Sequence, residues 1–405
     1  MSRVAVIGGG AAGMMAAAFA AQNGHETVLL EQNDKLGKKL YLTGKGRCNI
    51  TNAADIEEFF QHIPRNGKFL YSALYGFDNR AVVELLEAYG VETKVERGNR
   101  VFPLSDKSSD VIRALQRHVQ KSGARICYGA RVNAIQKENG LFTLRLGEKT
   151  QDFDAVVLAT GGKSYPSTGS TGDGYRFARE LGHTILPPLP SLVPLETEEE
   201  WPKALMGLSL RNVVLSAYRG EKKLYSELGE MLFTHFGVTG PLVLSAVSRF
   251  ADDPAGVILR IDLKPGLREE ELDRRLLRDF EKNLNRHFAN ALGELLPAKL
   301  IPASVALSHI PPETPVHDIT RAQRSAFCSL LKNMEMTVKS ARPIEEAIIT
   351  RGGVSTKEID ASSMQSKIVP GLYFAGEIID VDATTGGYNL QIAYSTGALA
   401  GRSIE

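Results

Sequence analysis

Three glycines and one carboxylate near the amino terminus have the types and spacing to hold a phosphate-bearing ligand. Gly8-Gly9-Gly10-Ala11-Ala12-Gly13 fits G-x-G-x-x-G and directly follows Arg3-Val4-Ala5-Val6-Ile7, an apolar, largely β-branched run. Met14 to Asn23 then reads as a small-residue helix closed by Gly24. In such a unit Gly8 permits a tight turn, Gly10 lets main chain approach a pyrophosphate and Gly13 brings helix close to strand. Unpaired N–H groups and the helix dipole favour negative charge at that end. Glu31 ends a second strand-like run, Thr27-Val28-Leu29-Leu30, where a carboxylate accepts from ribose hydroxyls. An acid there prefers a free 2′-hydroxyl, so the nucleotide is FAD or NAD(H) rather than NADP(H). The competing reading is a tight structural turn.

Other residues carry weaker chemical signals. Cys48 has Lys45 and Arg47 as near neighbours, which could lower its pKa and make it a proton donor; equally, it is a small packed cysteine that shapes its loop. His235, within Phe233-Thr234-His235-Phe236-Gly237, either donates a proton to a substrate or holds a turn. Asp154 to Leu158 reads as a buried strand running into Ala159-Thr160-Gly161-Gly162, small residues that let chain pass close to a ligand. Asp173, before the helical pattern Tyr175 to Leu181, caps a helix or contacts the cofactor. Cys48, Cys127 and Cys328 form no CxxC pair, which removes zinc clusters, disulfide frameworks and a redox dithiol and points to a reducing cytoplasm. No second complete G-x-G-x-x-G follows a strand, and H-E-x-x-H, the P-loop pattern and a G-x-S-x-G elbow are absent.

These residues need a large scaffold. At 405 residues with 43% hydrophobic and 23% charged content, the chain has length for two or three domains. Its formal charge of +1 supplies no global field for nucleic acid or anionic membrane. The uncharged stretch Val4 to Ala21 is interrupted by four glycines, so neither anchor nor signal peptide is expected. Helical spacing marks Phe59 to Leu74, Asn79 to Tyr89 and Ser109 to Lys121; Ala124 to Leu146 alternates like strands around a turn at Gly140. The Pro-rich stretch Leu186 to Pro190 marks the exit from the first domain. Strand-like runs follow at Leu210 to Ala217, Lys222 to Leu228 and Val257 to Leu263. Helical character spans Glu269 to Leu296 and Arg321 to Asn333. In the first of these, basic and acidic residues interleave, as on a solvated helix face; a nucleic-acid surface is the alternative.

Four blocks together resemble the YhiN/BaiN-type FAD-dependent oxidoreductase family, which includes aminoacetone oxidase-like flavoproteins. They are Lys35 through Thr43-Gly44-Lys45-Gly46-Arg47-Cys48-Asn49 to Asn52; Leu158 to Pro166 with Thr171-Gly172-Asp173-Gly174; Phe233 to Pro241; and Gly371 to Glu377 with Gly386 to Gln391. The resemblance implies an α/β, Rossmann-like FAD-binding domain, discontinuous over 1–190 and 343–405. An inserted β-barrel-like unit at 191–265 and a small helical unit at 266–342 complete the expected organisation. It carries over as FAD contacts Gly8, Gly10, Ala12, Gly13, Glu31, Gln32, Lys39, Thr43, Gly44, Arg47, Cys48, Asn49, Val132, Thr160, Gly161, Asp173, Gly376, Glu377, Gly387, Asn389 and Leu390, with Glu377 suited to ribitol hydroxyls. Cys48 and His235 are the expected catalytic residues. The implied activity is hydride transfer between bound flavin and a small organic substrate, with NAD(P)H docking transiently as reductant. Two alternatives remain open: a dihydrouridine synthase acting on ribosomal RNA, and a non-enzymatic flavin-binding redox sensor.

Overall fold

Arg3–Ile7 lies at the centre of a five-stranded parallel sheet, flanked on one side by Ala155–Leu158 and Leu372–Phe374 and on the other by Glu26–Leu30 and Arg125–Cys127. The computed structural model describes residues 1–405. In the central strand only the first residue is exposed, as expected where helices cover both faces of a parallel sheet. Sheet strands thus come from both ends of the chain. Two compact units result: Met1–Ser191 with Pro343–Glu405, and Leu192–Arg342.

Within the first unit, helix Ala11–Gln22 packs against helix Tyr388–Arg402 at a separation only glycine permits. A Cβ on Gly397 would stand 2.3 Å from the Ala12 carbonyl oxygen, and one on Gly401 would stand 2.4 Å from that of Ala16. Ser108–Ser122 is helical as expected, but Phe59 to Leu74 is not one helix. It breaks into Ile56–Phe59, Phe60–His62, Gly67–Leu70 and Tyr71–Gly76, because Pro64 cannot continue a helix and Asn66 takes a left-handed φ of 54°. Ile185–Ser191, which contains the Pro-rich stretch, is itself a strand; it pairs antiparallel with Ile349–Val354 across a register shift between Leu186 and Leu189. No helix is long and apolar enough to cross a membrane.

The second unit holds a closed six-stranded barrel. Its order is Leu195–Thr197, Gly237–Thr239, Lys222–Phe233, Ser209–Arg219, Ile258–Asp262 and Met334–Ala341, the last pairing back to the first. This differs from the expected division at 265/266. Met334–Ala341 lies beyond the helical segment in sequence yet closes the barrel, so strand and helix segments share one unit. The expected helix from Glu269 ends at Glu281, and Arg321–Lys332 forms as a helix with a Thr320 cap. Basic residues of the charged run are matched locally, Arg275 to Asp279 at 2.8 Å and Arg268 to Glu271 at 3.3 Å. Arg268 and Glu271 pair on the solvated face, whereas Arg275 closes over a buried carboxylate, Asp279 being 3% exposed.

Candidate functional site

The turn after the first strand is shaped around an opening. Gly8 has φ 107°, and a Cβ there would meet the Ala159 carbonyl oxygen at 2.4 Å; a Cβ on Gly13 would meet the Gly8 oxygen at 1.8 Å. A Cβ on Gly10 would meet nothing within 4 Å, so open space borders that residue. Helix Ala11–Gln22 begins there with no side-chain cap and no acid in its first turn, although Ala11 and Ala12 are buried. A buried, uncapped helix start with free volume beside it fits an anionic ligand. Glu31, 7% exposed, accepts from the Gly9 amide at 2.7 Å through Oε2 and from the Asn33 amide at 2.8 Å through Oε1. Oε2 has a lone pair to spare for a hydroxyl. Gln32 donates to the Gly169 carbonyl at 2.7 Å. Val132 is 5% exposed, and its main-chain N–H and C=O make no hydrogen bond within the protein. Those two groups could read the edge of a base.

Glu377 sits at a junction of four segments. Its Oε2 accepts from Lys39 Nζ at 2.5 Å; its Oε1 accepts from Ser164 Oγ at 2.9 Å and from the Thr350 amide at 2.8 Å. Lys39 also donates to Ser164 Oγ at 2.7 Å. The carboxylate expected to face ribitol is therefore engaged by protein donors. Gly162 must be glycine beside this junction, since a Cβ would stand 2.3 Å from Thr350 Oγ1. Gly161 has φ 73°, and the Thr160 hydroxyl is buried without a partner. Asp173 is the first residue of helix Asp173–Glu180, after a left-handed Gly172, and pairs with Arg131 at 3.1 Å.

The loop around Cys48 departs from expectation. Gly44, Lys45, Gly46 and Cys48 all take positive φ, with Thr43 Oγ1 donating to the Leu40 carbonyl at 2.8 Å. Arg47 reaches Glu96 at 2.8 Å and stacks over the Phe102 ring at 4.0 Å. It is therefore spent on those partners. Cys48 is 0% exposed, and burial pushes its thiol up to about 12, against a hydrogen bond with Thr43. This corrects the expectation of a lowered pKa: in a dry site the cost of removing an anion from water outweighs charges that are adjacent in sequence but directed elsewhere. The Asn49 amide, turned to satisfy its neighbours, accepts from the Gly387 amide at 3.0 Å. His235 belongs to the second unit, where it is exposed in the turn closed by the Thr234 and Gly237 main chains and lies edge-on to Phe236.

Helix Tyr388–Arg402 begins after Gly387, also without a side-chain cap or a first-turn acid. Asn389 braces the entering loop, accepting from the Ala383 amide at 2.9 Å and donating to its carbonyl at 2.7 Å. Leu390 is partly buried behind it, and Gly376, with φ 76°, has its amide held by Thr396 Oγ1 at 2.9 Å. Sequence reasoning missed a buried charge cluster on the same loop. Asp380 and Asp382 are 4% and 2% exposed, and Arg351 is 5% exposed. Arg65 reaches Asp380 at 3.2 Å, and Ser191 Oγ donates to Asp382 at 2.7 Å. Burial holds the Asp382 carboxyl above its ordinary value, against the Ser191 hydrogen bond and the Arg351 and Arg65 charges. The available signal was Asp380-Val381-Asp382, two acids inside an otherwise apolar run after Glu377.

These features are arranged around one half of a doubly wound sheet, and the two uncapped helix starts with their glycine turns fit the two ends of a flavin dinucleotide. The family profile of the HI0933-like protein Rossmann domain matches residues 2–403. The chain belongs to the HI0933-like family. It is accordingly an FAD-dependent oxidoreductase built on a Rossmann-type FAD-binding domain. A 3-dehydro-bile acid delta(4,6)-reductase from Clostridium scindens is 32% identical over 100% of this chain and 99% of its own. A ribosomal RNA dihydrouridine synthase from Escherichia coli is 30% identical over 96% of this chain and 95% of its own. Among solved structures, the 3-ketosteroid-delta4-(5alpha)-dehydrogenase of Rhodococcus jostii RHA1 superposes with a TM-score of 0.50 at 15% identity, covering 99% of this chain and 96% of that one. That likeness is one of fold.

Proposed function

We propose that this HI0933-like protein reduces a carbon–carbon double bond conjugated to a carbonyl in a small organic molecule, with a reduced nicotinamide as transient electron donor. The observation that carries the reading is the pair of full-length relatives. One is named for reducing the unsaturated system of a 3-oxo bile acid and the other for making dihydrouridine. Both reactions saturate an alkene polarised by a carbonyl, so the relatives share an electronic requirement where their substrates differ in size and charge.

Bound FAD supplies the hydride chemistry. The main-chain amides at the uncapped helix start, from Gly10 through Ala12 to Gly13, would hold the diphosphate, with Gly8 shaping the turn; Glu31 would take the ribose, and Gln32 would support it. Val132 faces the adenine. Thr160, Gly161 and Asp173 line the strand end beside it. Lys39 is kept in place by Glu377, so both residues shape the cradle. Thr43, Gly44, Arg47, Cys48 and Asn49 form the loop that would border the ring and keep water from it. Gly376, Gly387, Asn389 and Leu390 present the start of the last helix, whose dipole stabilises negative charge on the pyrimidine edge. Cys48, as a neutral thiol, serves the loop's shape, and His235, in the second unit, is assigned no part in the reaction. All three cysteines are free, in keeping with a reducing cytoplasm.

Anaerobic stopped-flow mixing of photoreduced protein with a 3-oxo-4,6-diene steroid tests the proposal. Rapid return of the oxidised flavin band is expected. No reoxidation by any carbonyl-conjugated alkene would sink it. Ribosomal RNA is the second reading, favoured by the Escherichia coli relative; an unchanged dihydrouridine content in rRNA of a deletion strain would remove it. Mixing the oxidised protein with NADH and NADPH tests the donor, with bleaching of the flavin band as the expected result.

A further inference from the structure

Arg65 is held in an unusual way for a side chain that is one-third exposed. A single terminal nitrogen, Nη2, reaches the buried Asp380 carboxylate at 3.2 Å. Its remaining N–H donors make no hydrogen bond within the protein. The segment that carries it is fastened at both ends to the loop entering the last helix. On one side His62 stacks on Tyr388, ring centroids 4.2 Å apart and planes 12° apart, and the His62 carbonyl accepts from the Thr384 amide at 2.9 Å. On the other, Asn66 Nδ2 donates to the Asp380 carbonyl at 2.7 Å and to its Oδ2 at 2.9 Å. The segment that carries the guanidinium is thus fastened to the loop that enters the last helix, the helix whose start is proposed to face the flavin's pyrimidine edge, and donors are left over.

Charge in the cluster is close to balanced, with Arg65 and Arg351 against Asp380 and Asp382. Whenever Asp382 holds its proton, two guanidiniums face one carboxylate, and the local field favours a developing anion. Of the four charged groups only Arg65 has appreciable exposure, 33% of its side chain, so it is the member a substrate can touch.

We propose that Arg65 receives the carbonyl oxygen of the conjugated substrate and stabilises the negative charge that develops on it, with Asp380 and Asn66 as positioning residues. This rests on the proposed reduction of a conjugated alkene. In that step a C–H bond forms at the β-carbon and the alkene π bond breaks, its electron pair moving onto the carbonyl oxygen. The α-carbon then takes a proton from water, and the two electrons come from reduced FAD, refilled by a reduced nicotinamide. A guanidinium fixed by a buried carboxylate needs no reorganisation as the oxyanion forms, which is how such donors lower a barrier.

The test uses the FAD-loaded protein and 4-chlorophenol, a phenol whose anion mimics the oxyanion and gives a long-wavelength charge-transfer band when it lies on oxidised flavin. Wild-type protein should bind the phenolate with that band. Arg65→Gln should weaken binding about 30-fold, the range of one charge-assisted hydrogen bond, while the flavin-to-protein absorbance ratio stays unchanged. Arg65→Lys keeps a charge beside Asp380 but loses the fork, so about 5-fold weakening is expected; if Arg65→Gln loses flavin, this variant decides. Asp380→Asn removes a negative charge from the cluster and should lower the apparent pKa of bound 4-chlorophenol, whereas Arg65→Gln should raise it, opposite shifts that a purely structural role leaves unmoved. A wild-type protein that binds no phenolate, or Arg65 variants that bind it as wild type does, would overturn the proposal. The outcome is separable from the substrate reading, because stopped-flow reoxidation of wild type by the steroid diene tests that reading without Arg65 variants.

Discussion

Glu31 and Glu377 follow parallel strands of the same sheet, and both were expected to face the cofactor, yet they are held by different kinds of partner. Glu31 bonds the Asn33 amide two residues on and the Gly9 amide at the other end of the same strand–turn–helix–strand unit. Glu377 bonds Lys39, Ser164 and Thr350, from three separate parts of the chain. A carboxylate whose partners lie within one strand–turn–helix–strand unit has a role that can be read from spacing. One whose partners arrive through the fold becomes a structural junction, and its sequence neighbours do not reveal this.

The strongest way to break the comparison lies in the turn that Glu31 serves. Gly13→Val should cost about 3 kcal/mol and abolish flavin retention, because a Cβ would stand 1.8 Å from the Gly8 oxygen. Chemical denaturation and the ratio of flavin to protein absorbance would measure it; a yellow, fully stable variant would show that the close approach is not needed. Glu377→Gln strands Lys39 in a partly buried site. With side chains 21% and 15% exposed, the pair should be worth about 2 kcal/mol after solvent screening, below the range for fully buried pairs. Lys39→Met with Glu377→Gln should then cost less than the sum of the single changes, the signature of a shared junction; strict additivity would deny it.

Glu31→Gln is the milder change. It sets an amide N–H against one of the protein's own N–H donors and should cost about 1.5 kcal/mol of stability and about 10-fold in FAD affinity, read by titrating apoprotein with FAD. Equal effects at positions 31 and 377 on both stability and affinity would erase the contrast between them. Cys48 extends the contrast to pH. Its folded-state value of about 12 lies above the ordinary 9.0, so the unfolded chain loses this proton first. Stability is then fully present below pH 9 and falls as pH rises from about 9 towards 12, by about 1 kcal/mol at pH 10 relative to pH 8. Cys48→Ala should lack that component of the fall, as urea midpoints at the two pH values would show; identical slopes for both proteins would mean the thiol is not held neutral.

Much of the fold was legible because short-range pattern suffices for it. The strand, glycine turn and helix from Arg3 to Gln22 are specified by β-branched residues, glycines and small residues in immediate succession. Segment ends were less legible: Pro64 and the left-handed Asn66 broke an apolar periodicity that otherwise reads as one helix. In the candidate site, residues next to the glycine turn were visible, whereas His62, Arg65, Arg351, Asp380 and Asp382 were not. Each is unremarkable in its own stretch of chain, and they matter through contacts with one another across the fold.

The order of residues alone determined the phosphate-binding turn and the acid that closes the second strand, since these depend on dihedral preference and burial periodicity within a few residues of each. Tertiary structure alone decided that Cys48 is a neutral thiol, that Glu377 ties four segments together and that Arg65 keeps donors uncommitted. Desolvation and the convergence of distant charges set those properties, and both depend on what packs around a group in space, whatever flanks it in the chain.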